Sequence, residues 1–269
     1  MKSVIDITGR EIIPEKPIER IVSLVPSITE SLVDFGCREK IVGCTSFCEQ
    51  PPEFHDEMKK SGGIVGGTKN PKISLIKKLA PDLVFANREE NRRQDIDAIR
   101  DFAPVHVSEP KDVNDVDSML KDIAVLLKAQ AMHEKWRTEF IEARHTLNNL
   151  KDKNQPLKYA YLIWWKPIMV AAGETYISNL LSEGPFVNAY SNRERYPIVR
   201  IEDIIESGAE VVYCSTEPYE FDNATMANLK AEIGESVEIK EIDGCMCGWH
   251  GTRTSKALKY LYDFYPKNA

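Results

Sequence analysis

The chain has 269 residues, of which 42% are hydrophobic and 29% charged, enough for one large or two modest domains with a buried core. A formal net charge of −7 excludes the basic footprint that non-specific nucleic-acid binding needs, so Lys77-Lys78 and Arg92-Arg93 read as solvated helix faces. No apolar run approaches the ~18 to 20 residues of a membrane span. The opening MKSVIDITGREIIPEKP has no apolar h-region and no small-residue cleavage site, so no signal peptide is predicted. Six cysteines (37, 44, 48, 214, 245 and 247) are not needed to staple a core of this size, and without a leader they read as reduced thiols compatible with the cytosol.

In chain order, the first strand is Arg20 to Val25, a continuous apolar run of the kind found in a parallel sheet covered on both faces. Pro26-Ser27 ends it, and a helix from Thr29 to Phe35 stops at Gly36. A strand at Ile41 to Cys44 follows, then helix Ile73 to Leu79, strand Asp82 to Ala86, helix Asn91 to Arg100 and strand Val105 to Val107. Val113 to Lys151 holds no Pro or Gly and carries Val116, Leu120, Ile123 and Leu127 at helical spacing, which predicts one or two helices, the last rather long. Alternation resumes with strand Tyr159 to Trp164, helices near Tyr176 to Ser182 and Ile201 to Glu206, strand Glu210 to Tyr213, strand Val237 to Ile242 and helix Thr254 to Phe264. Such alternation predicts an α/β layered fold with right-handed crossovers.

An internal echo predicts two similar halves. Lys72 to Phe85 aligns without gaps on Arg200 to Tyr213, with Ile73 on Ile201, Ile76 on Ile204 and Asp82-Leu-Val on Glu210-Val-Val. The division expected from this is an N-terminal α/β lobe over 1–125, a connecting helix over 126–154 and a C-terminal α/β lobe over 155–269, with a ligand cleft between the lobes.

The segments RIVSLVPSITESL, VGGTKNPKISLIKKLAPDLVFANREENR, YLIWWKPIMVAAGETYISNLL and RYPIVRIEDIIESGAEVVYCSTEPYEF resemble the iron-chelate and vitamin B12 class of periplasmic binding proteins, nearest in pattern to the cobalamin-binding members. The resemblance runs from about Val4 to Tyr265. It implies two Rossmann-like lobes joined by a single long helix, a monomer, no intrinsic cofactor, and a corrinoid, haem or ferric siderophore as ligand. The partner it implies is an ABC permease; members of the class are periplasmic or lipid-anchored. Carried over by position, and in keeping with ligand binding at the carboxyl ends of parallel strands, the ligand-facing residues are Ser27, Phe47, Glu49, Thr68, Lys69, Asn87 and the run Arg88 to Asn91 with Glu90, then Trp165, Lys166, Tyr196, Glu217, Tyr219 and the loop Cys245 to Arg253 with Trp249, His250 and Arg253. Trp164 and Trp165 compete, because adjacent strand residues face opposite ways and one of them belongs to the core. The class docks through an acidic residue on each lobe. Glu202 stands at that position in the second lobe, and Ser74 in the first, where Lys72, Lys77 and Lys78 would repel an arginine socket.

Cys245, Cys247 and His250 could ligate a soft or borderline metal with one more donor, Cys44 and Cys48 being the further candidates; the bland reading is that they line a pocket or pack a loop. His250 is also the best candidate among five histidines for an axial ligand to a corrinoid or haem metal. His133 and His145 are expected to be solvent-exposed. Gly62 to Lys69 lacks the spacing of a nucleotide-binding P-loop, no nucleophile elbow occurs, and Glu89-Glu90 reads equally as a helix cap. The expected class is therefore a non-enzymatic binding protein. The alternatives are a cytosolic corrinoid or metal-chelate carrier without a permease, and a metal-dependent enzyme around Cys245, Cys247 and His250.

Overall fold

In the computed structural model of the chain, residues 3–266 are described; the outermost ends of the two expected lobes, 1–2 and 267–269, lie outside them. An antiparallel hairpin of β1 (Val4–Ile5) and β2 (Glu11–Ile12) opens the chain. Apolar runs then build the first parallel sheet from β3 (Ile21–Ser23), β4 (Ile41–Cys44), β5 (Leu83–Asn87) and β6 (Val105–Ser108), in the order β4-β3-β5-β6. Every residue of β3, β5 and β6 is buried, as helices on both faces of a parallel sheet require. The helices of this part are α1 (Pro26–Asp34), α2 (Pro52–Ser61), α3 (Ile73–Leu79), α4 (Arg93–Arg100) and α5 (Val113–Leu127). Val22, Ile76, Val84 and Ile99, none with any exposed surface, sit in this core.

Helix α6 (Gln130–Lys151) leads to the second sheet, formed by β7 (Leu157–Trp164), β8 (Met169–Val170), β9 (Phe186–Asn188), β10 (Val211–Ser215) and β11 (Glu238–Ile242). Its parallel strands run β11-β10-β7-β9, and β8 pairs antiparallel with β7. Helices α7 (Tyr176–Ser182), α8 (Ile201–Glu206), α9 (Asn223–Ile233), α10 (Gly244–Gly248) and α11 (Arg253–Phe264) complete this part. With β8 set aside, each sheet has its second, first, third and fourth strands side by side in that order. Helices α3 and α8 each precede the third strand, and each buries one isoleucine completely, Ile76 and Ile204. The internal echo is thus a repeat of topology.

The chain separates into two compact units. The first holds residues up to Pro110, Asn114–Thr138 and His250–Arg253; the second holds Lys111–Val113, Glu139–Trp249 and the chain from Thr254 on. The passage from first to second falls inside α6, and four residues late in the chain belong to the first unit.

Several elements are absent from the sequence reading. Helix α2 buries only Phe54, His55 and Met58, starts on Pro52 and ends at Gly62 with φ 76°, a left-handed cap. Helix α9 starts where the Asp222 carboxylate accepts from the Thr225 amide at 2.7 Å. Part of the expected loop Cys245 to Arg253 is helical: Asp243 caps α10 by accepting from Met246 N at 2.9 Å. A Cβ on Gly244 would run into Ser215 and Glu217, so only glycine lets α10 approach the end of β10 this closely. His133 is a further correction. It is buried at 5% exposure, 2.8 Å from Asp117 and stacked at 6.0 Å on Trp136, while His145 is exposed.

Candidate functional site

In the first unit the strands end in loops stitched together by Asn91. Its Nδ2 donates to the carbonyls of Leu24 (3.2 Å) and Thr68 (2.9 Å), and its Oδ1 accepts from Asn87 N (2.9 Å). One amide therefore fixes the exits of β3 and β5 and the glycine-rich turn before α3. Asn87, buried to 2%, closes an Asx turn: its Oδ1 accepts from the amides of Glu89 (2.8 Å) and Glu90 (3.3 Å).

That turn decides the chemistry of His250. With Oδ1 held by two backbone donors, Asn87 must present Nδ2 to the imidazole, where it lies 3.3 Å from Nε2. Nε2 is then the acceptor, the proton resides on Nδ1, and Nδ1 donates to Ser27 Oγ at 3.4 Å. Both contacts are long, so the ring is oriented but not locked. Loss of solvation pushes the imidazole down to about 4, and it is neutral near pH 7.

The segment around His250 is anchored to α1 and α6. Thr252 N donates to Ser31 Oγ (3.0 Å), Thr252 Oγ1 to Asp34 (2.6 Å), and Trp136 Nε1 to the Thr252 carbonyl (2.9 Å). Gly251, at φ 122°, passes so close to Ser31 that a Cβ would collide with its hydroxyl. Arg253, expected to reach a ligand, instead forms a fork on Glu30, with Nε and Nη2 each 2.8 Å from a carboxylate oxygen. The physical reason is that Glu30 is buried on α1 at 8% exposure and takes the nearest guanidinium as its counter-ion.

Around this centre Thr68 is buried, Phe47 stands out at 57% exposure and Glu49 is exposed. Lys69 is exposed and its Nζ contacts the Glu89 carbonyl. Burial pushes the half-buried Glu90 carboxyl above the ordinary carboxylate range, Glu89 adding to this and Lys69 and the Thr68 hydroxyl opposing it.

In the second unit β7 ends at Trp164, so strict alternation stops before Trp165. Trp165 is half-buried and packs on the core with Ile168, whereas Trp164 is 39% exposed. The exposed aromatic of the competing pair is thus Trp164. Its ring meets Tyr219 edge-on at 5.4 Å, and Tyr219 meets Phe221 at 4.9 Å, a ladder whose sequence signal is the alternation of Tyr219 with Phe221. Trp164 Nε1 also donates to the Lys166 carbonyl at 3.2 Å. Lys166 is exposed; Tyr196, Glu217 and Trp249 are half-buried, with Arg195 6.0 Å over the Tyr196 ring.

Three of the cysteines named as possible metal donors are packed side chains. Cys247 is fully buried and hydrogen-bonded by Tyr161, and burial pushes its thiol up. Cys44 and Cys48 are buried too, with Thr29 and Thr45 hydroxyls 3.0 and 3.1 Å from the Cys48 sulfur. Among the described residues no group of three or more His, Cys, Asp or Glu is placed to hold a metal ion, and the six cysteines form no disulfide. Hollows of about 560 Å³ beside Lys151, Ser178 and Asn188, about 510 Å³ beside Ile12, Pro81 and Pro104, and about 650 Å³ beside Arg92, Gln94 and Asp97 include none of the sequence-predicted ligand residues.

Two α/β units of one strand order, with polar and aromatic loops at the carboxyl ends of their sheets, define a two-lobed binding protein of the periplasmic type. The chain belongs to the periplasmic binding protein family, whose pattern matches residues 21–233. It is 25% identical over 220 residues to the Vitamin B12-binding protein of Vibrio parahaemolyticus, covering 81% of this chain and 78% of that one. The crystal structure of the periplasmic vitamin B12 binding protein of Vibrio cholerae superposes with a TM-score of 0.74 at 22% identity, covering 92% of this chain and 96% of that one. The periplasmic heme-binding protein RhuT from Roseiflexus sp. RS-1 superposes with a TM-score of 0.77 at 20% identity, covering 91% and 97%. These relatives are binding proteins by name, and the solved structures establish the shared fold.

Proposed function

We propose that the chain binds a corrinoid, a haem or a ferric siderophore through the carboxyl-end loops of its two sheets, and delivers it to an ABC-type permease without acting on it chemically. The observation that carries the reading is the 39%-exposed Trp164 braced edge-on by Tyr219, a hydrophobic platform suited to the face of a flat macrocycle. The neutral His250 fits an uncatalysed binding role, and its Nε2 lone pair can turn from Asn87 to the metal of a bound chelate. Under the same reading Ser27, Asn87, Thr68 and Glu90 supply hydrogen bonds from the first unit, and Lys166, Tyr196, Glu217, Tyr219 and Trp249 from the second. Glu202, exposed at the start of α8, is the permease-facing acid.

A carrier without a permease is favoured by one observation: α3, the counterpart of α8, follows the exposed Lys72 and exposes Ser74, Lys77 and Lys78 and no acid. A thermal-shift screen with cyanocobalamin, haemin and a ferric siderophore tests the main reading, since a ligand at 100 times its Kd adds about 2.7 kcal/mol. A rise in Tm with one of the three is expected; no rise with any of them at saturating concentration refutes the reading.

A further inference from the structure

We propose that Cys44 and Cys48 are a redox-active dithiol in the first unit, with Cys48 as the sulfur that meets an oxidant of the peroxide class and Cys44 as the thiol that closes the disulfide. The proposal is independent of what the chain binds.

Cys44 is the last residue of β4 and stands opposite Ser23 on β3. The chain turns back at once, because Cys48 N donates to the Thr45 carbonyl at 3.1 Å. Thr29 on α1 ties the two ends of this turn together. Its Oγ1 lies 2.8 Å from the Oγ of Ser23, the cross-strand neighbour of Cys44, and 3.0 Å from Cys48 Sγ. Thr45 Oγ1 stands 3.1 Å from the same sulfur. The Cys44 thiol is a further hydrogen-bond partner of Cys48. Thr29 has one hydroxyl proton and also the Val25 carbonyl at 3.0 Å, and a charged sulfur draws that proton more strongly than a neutral carbonyl does. Such a nest favours the thiolate, the nucleophilic form of cysteine. Burial opposes this at Cys48, but the donors Cys44, Thr29 and Thr45 outweigh it and hold the thiol below its ordinary range. The contact with Cys48, and burial after it, push Cys44 up. Burial likewise pushes Cys37 up and Cys214 up to about 12, with no such donors to offset it.

Neither sulfur has exposed surface, yet Cys48 lies shallow in the chain: exposed Ser46 and Phe47 precede it and exposed Glu49 and Gln50 follow. A local opening of this turn uncovers it. The Cys48 thiolate then attacks one oxygen of hydrogen peroxide. An S–O bond forms, the O–O bond breaks, and the departing hydroxide takes a proton to become water. The Cys44 sulfur next attacks the sulfenic sulfur of Cys48. The S–S bond forms, the S–O bond breaks, and the second hydroxide leaves as water with the Cys44 proton. Two thiols are oxidised and one peroxide is reduced to two waters, once side-chain rotation has brought the sulfurs to about 2 Å. The linked form closes a short ring around Phe47, whose side chain lies so near Gly67 that a Cβ there would stand 3.2 Å from Cε2. The state of the pair thereby fixes how this exposed aromatic is held against the glycine-rich turn.

The test takes the full chain, reduced and then freed of reductant, and exposes it to hydrogen peroxide while folded. Thiol titration after unfolding should show the loss of two of the six cysteines. Peptide mapping should place the link between Cys44 and Cys48, and dithiothreitol should reverse it. Cys245, the one cysteine that is not buried, serves as the control for mere accessibility. In Cys44→Ser, dimedone should trap a sulfenic acid on Cys48 at least about tenfold faster than it traps one on Cys44 in Cys48→Ser. If the serine variants do not fold, the peptide map of the unaltered chain decides alone. Loss of thiol at Cys245 in place of the pair, a link between two chains, or reaction of Cys44 and Cys48 only after urea has unfolded the chain overturns the dithiol. Equal or reversed trapping rates overturn the order of the two sulfurs and the proposal with it.

Discussion

His250 has an amide donor on one side of its ring and a hydroxyl on the other, so a proton added at Nε2 would face the Asn87 Nδ2 hydrogens. Burial and this opposition act in the same direction. The folded imidazole sits at about 4, against about 6.5 in the unfolded chain. The unfolded chain therefore takes the proton first, and stability present above pH 6.5 is lost as pH falls toward 4, by about 3 kcal/mol at most. Asn87→Asp keeps an oxygen for the Glu89 and Glu90 amides but turns the other atom into an anionic acceptor, so the His250 titration should rise well above 4. Proton NMR of the ring resonances measures it, and an unchanged titration would show that Asn87 does not set the tautomer. Trp164 and Trp165 separate on the same logic. Trp164→Ala should weaken chelate binding by about 1 to 3 kcal/mol with little loss of stability, whereas Trp165→Ala should cost stability first. The reverse pattern would return the role to Trp165. Sequence could not choose between them, because alternation gives parity and not direction, and it fails once the strand ends between the two.

At the level of elements, the bounds of α3, α7, α8 and β4 are legible to the residue, and the equivalence of α3 with α8 follows from one isoleucine spacing. These elements bury a single face or a whole short strand, so their apolar pattern and their fold say the same thing. Helices α2, α9 and α10 say different things. Half of the residues of helix α2 are charged; α10 has glycine at both ends and owes its form to the Asp243 cap and to the close approach of Gly244 to Ser215. Strands β8 and β9, of two and three residues, exist through pairing with β7 and leave no periodic signal. If the two units are true counterparts, Ile76→Ala and Ile204→Ala empty equivalent cavities, each costing about 2 to 5 kcal/mol and differing by less than about 1 kcal/mol. Urea unfolding of the two variants decides this, and a large inequality would mean that the shared topology does not extend to packing.

Across the whole molecule the first unit is not built from the first half of the chain alone. Residues His250–Arg253 belong to it, though the chain on either side of them belongs to the second unit. They supply the guanidinium for buried Glu30, a hydroxyl for Asp34 and a carbonyl for Trp136. Composition and periodicity give no hint of this return, because it rests on pairs more than a hundred residues apart. Removing those four residues leaves Glu30 buried without its cation, which is the costly way to break an ion pair, worth about 3 kcal/mol. A fragment ending at Lys151 should accordingly lack a cooperative urea transition and near-ultraviolet dichroism, while the full chain retains both. Arg253→Ala should cost the full chain about 3 kcal/mol by the same mechanism, and the double variant Glu30→Leu with Arg253→Met should recover much of that loss, since no buried charge is then left alone. A cooperative transition in the fragment, or an Arg253→Ala loss below about 1 kcal/mol, would mean that the first unit closes without its late segment and that the Arg253–Glu30 fork serves some purpose other than stability.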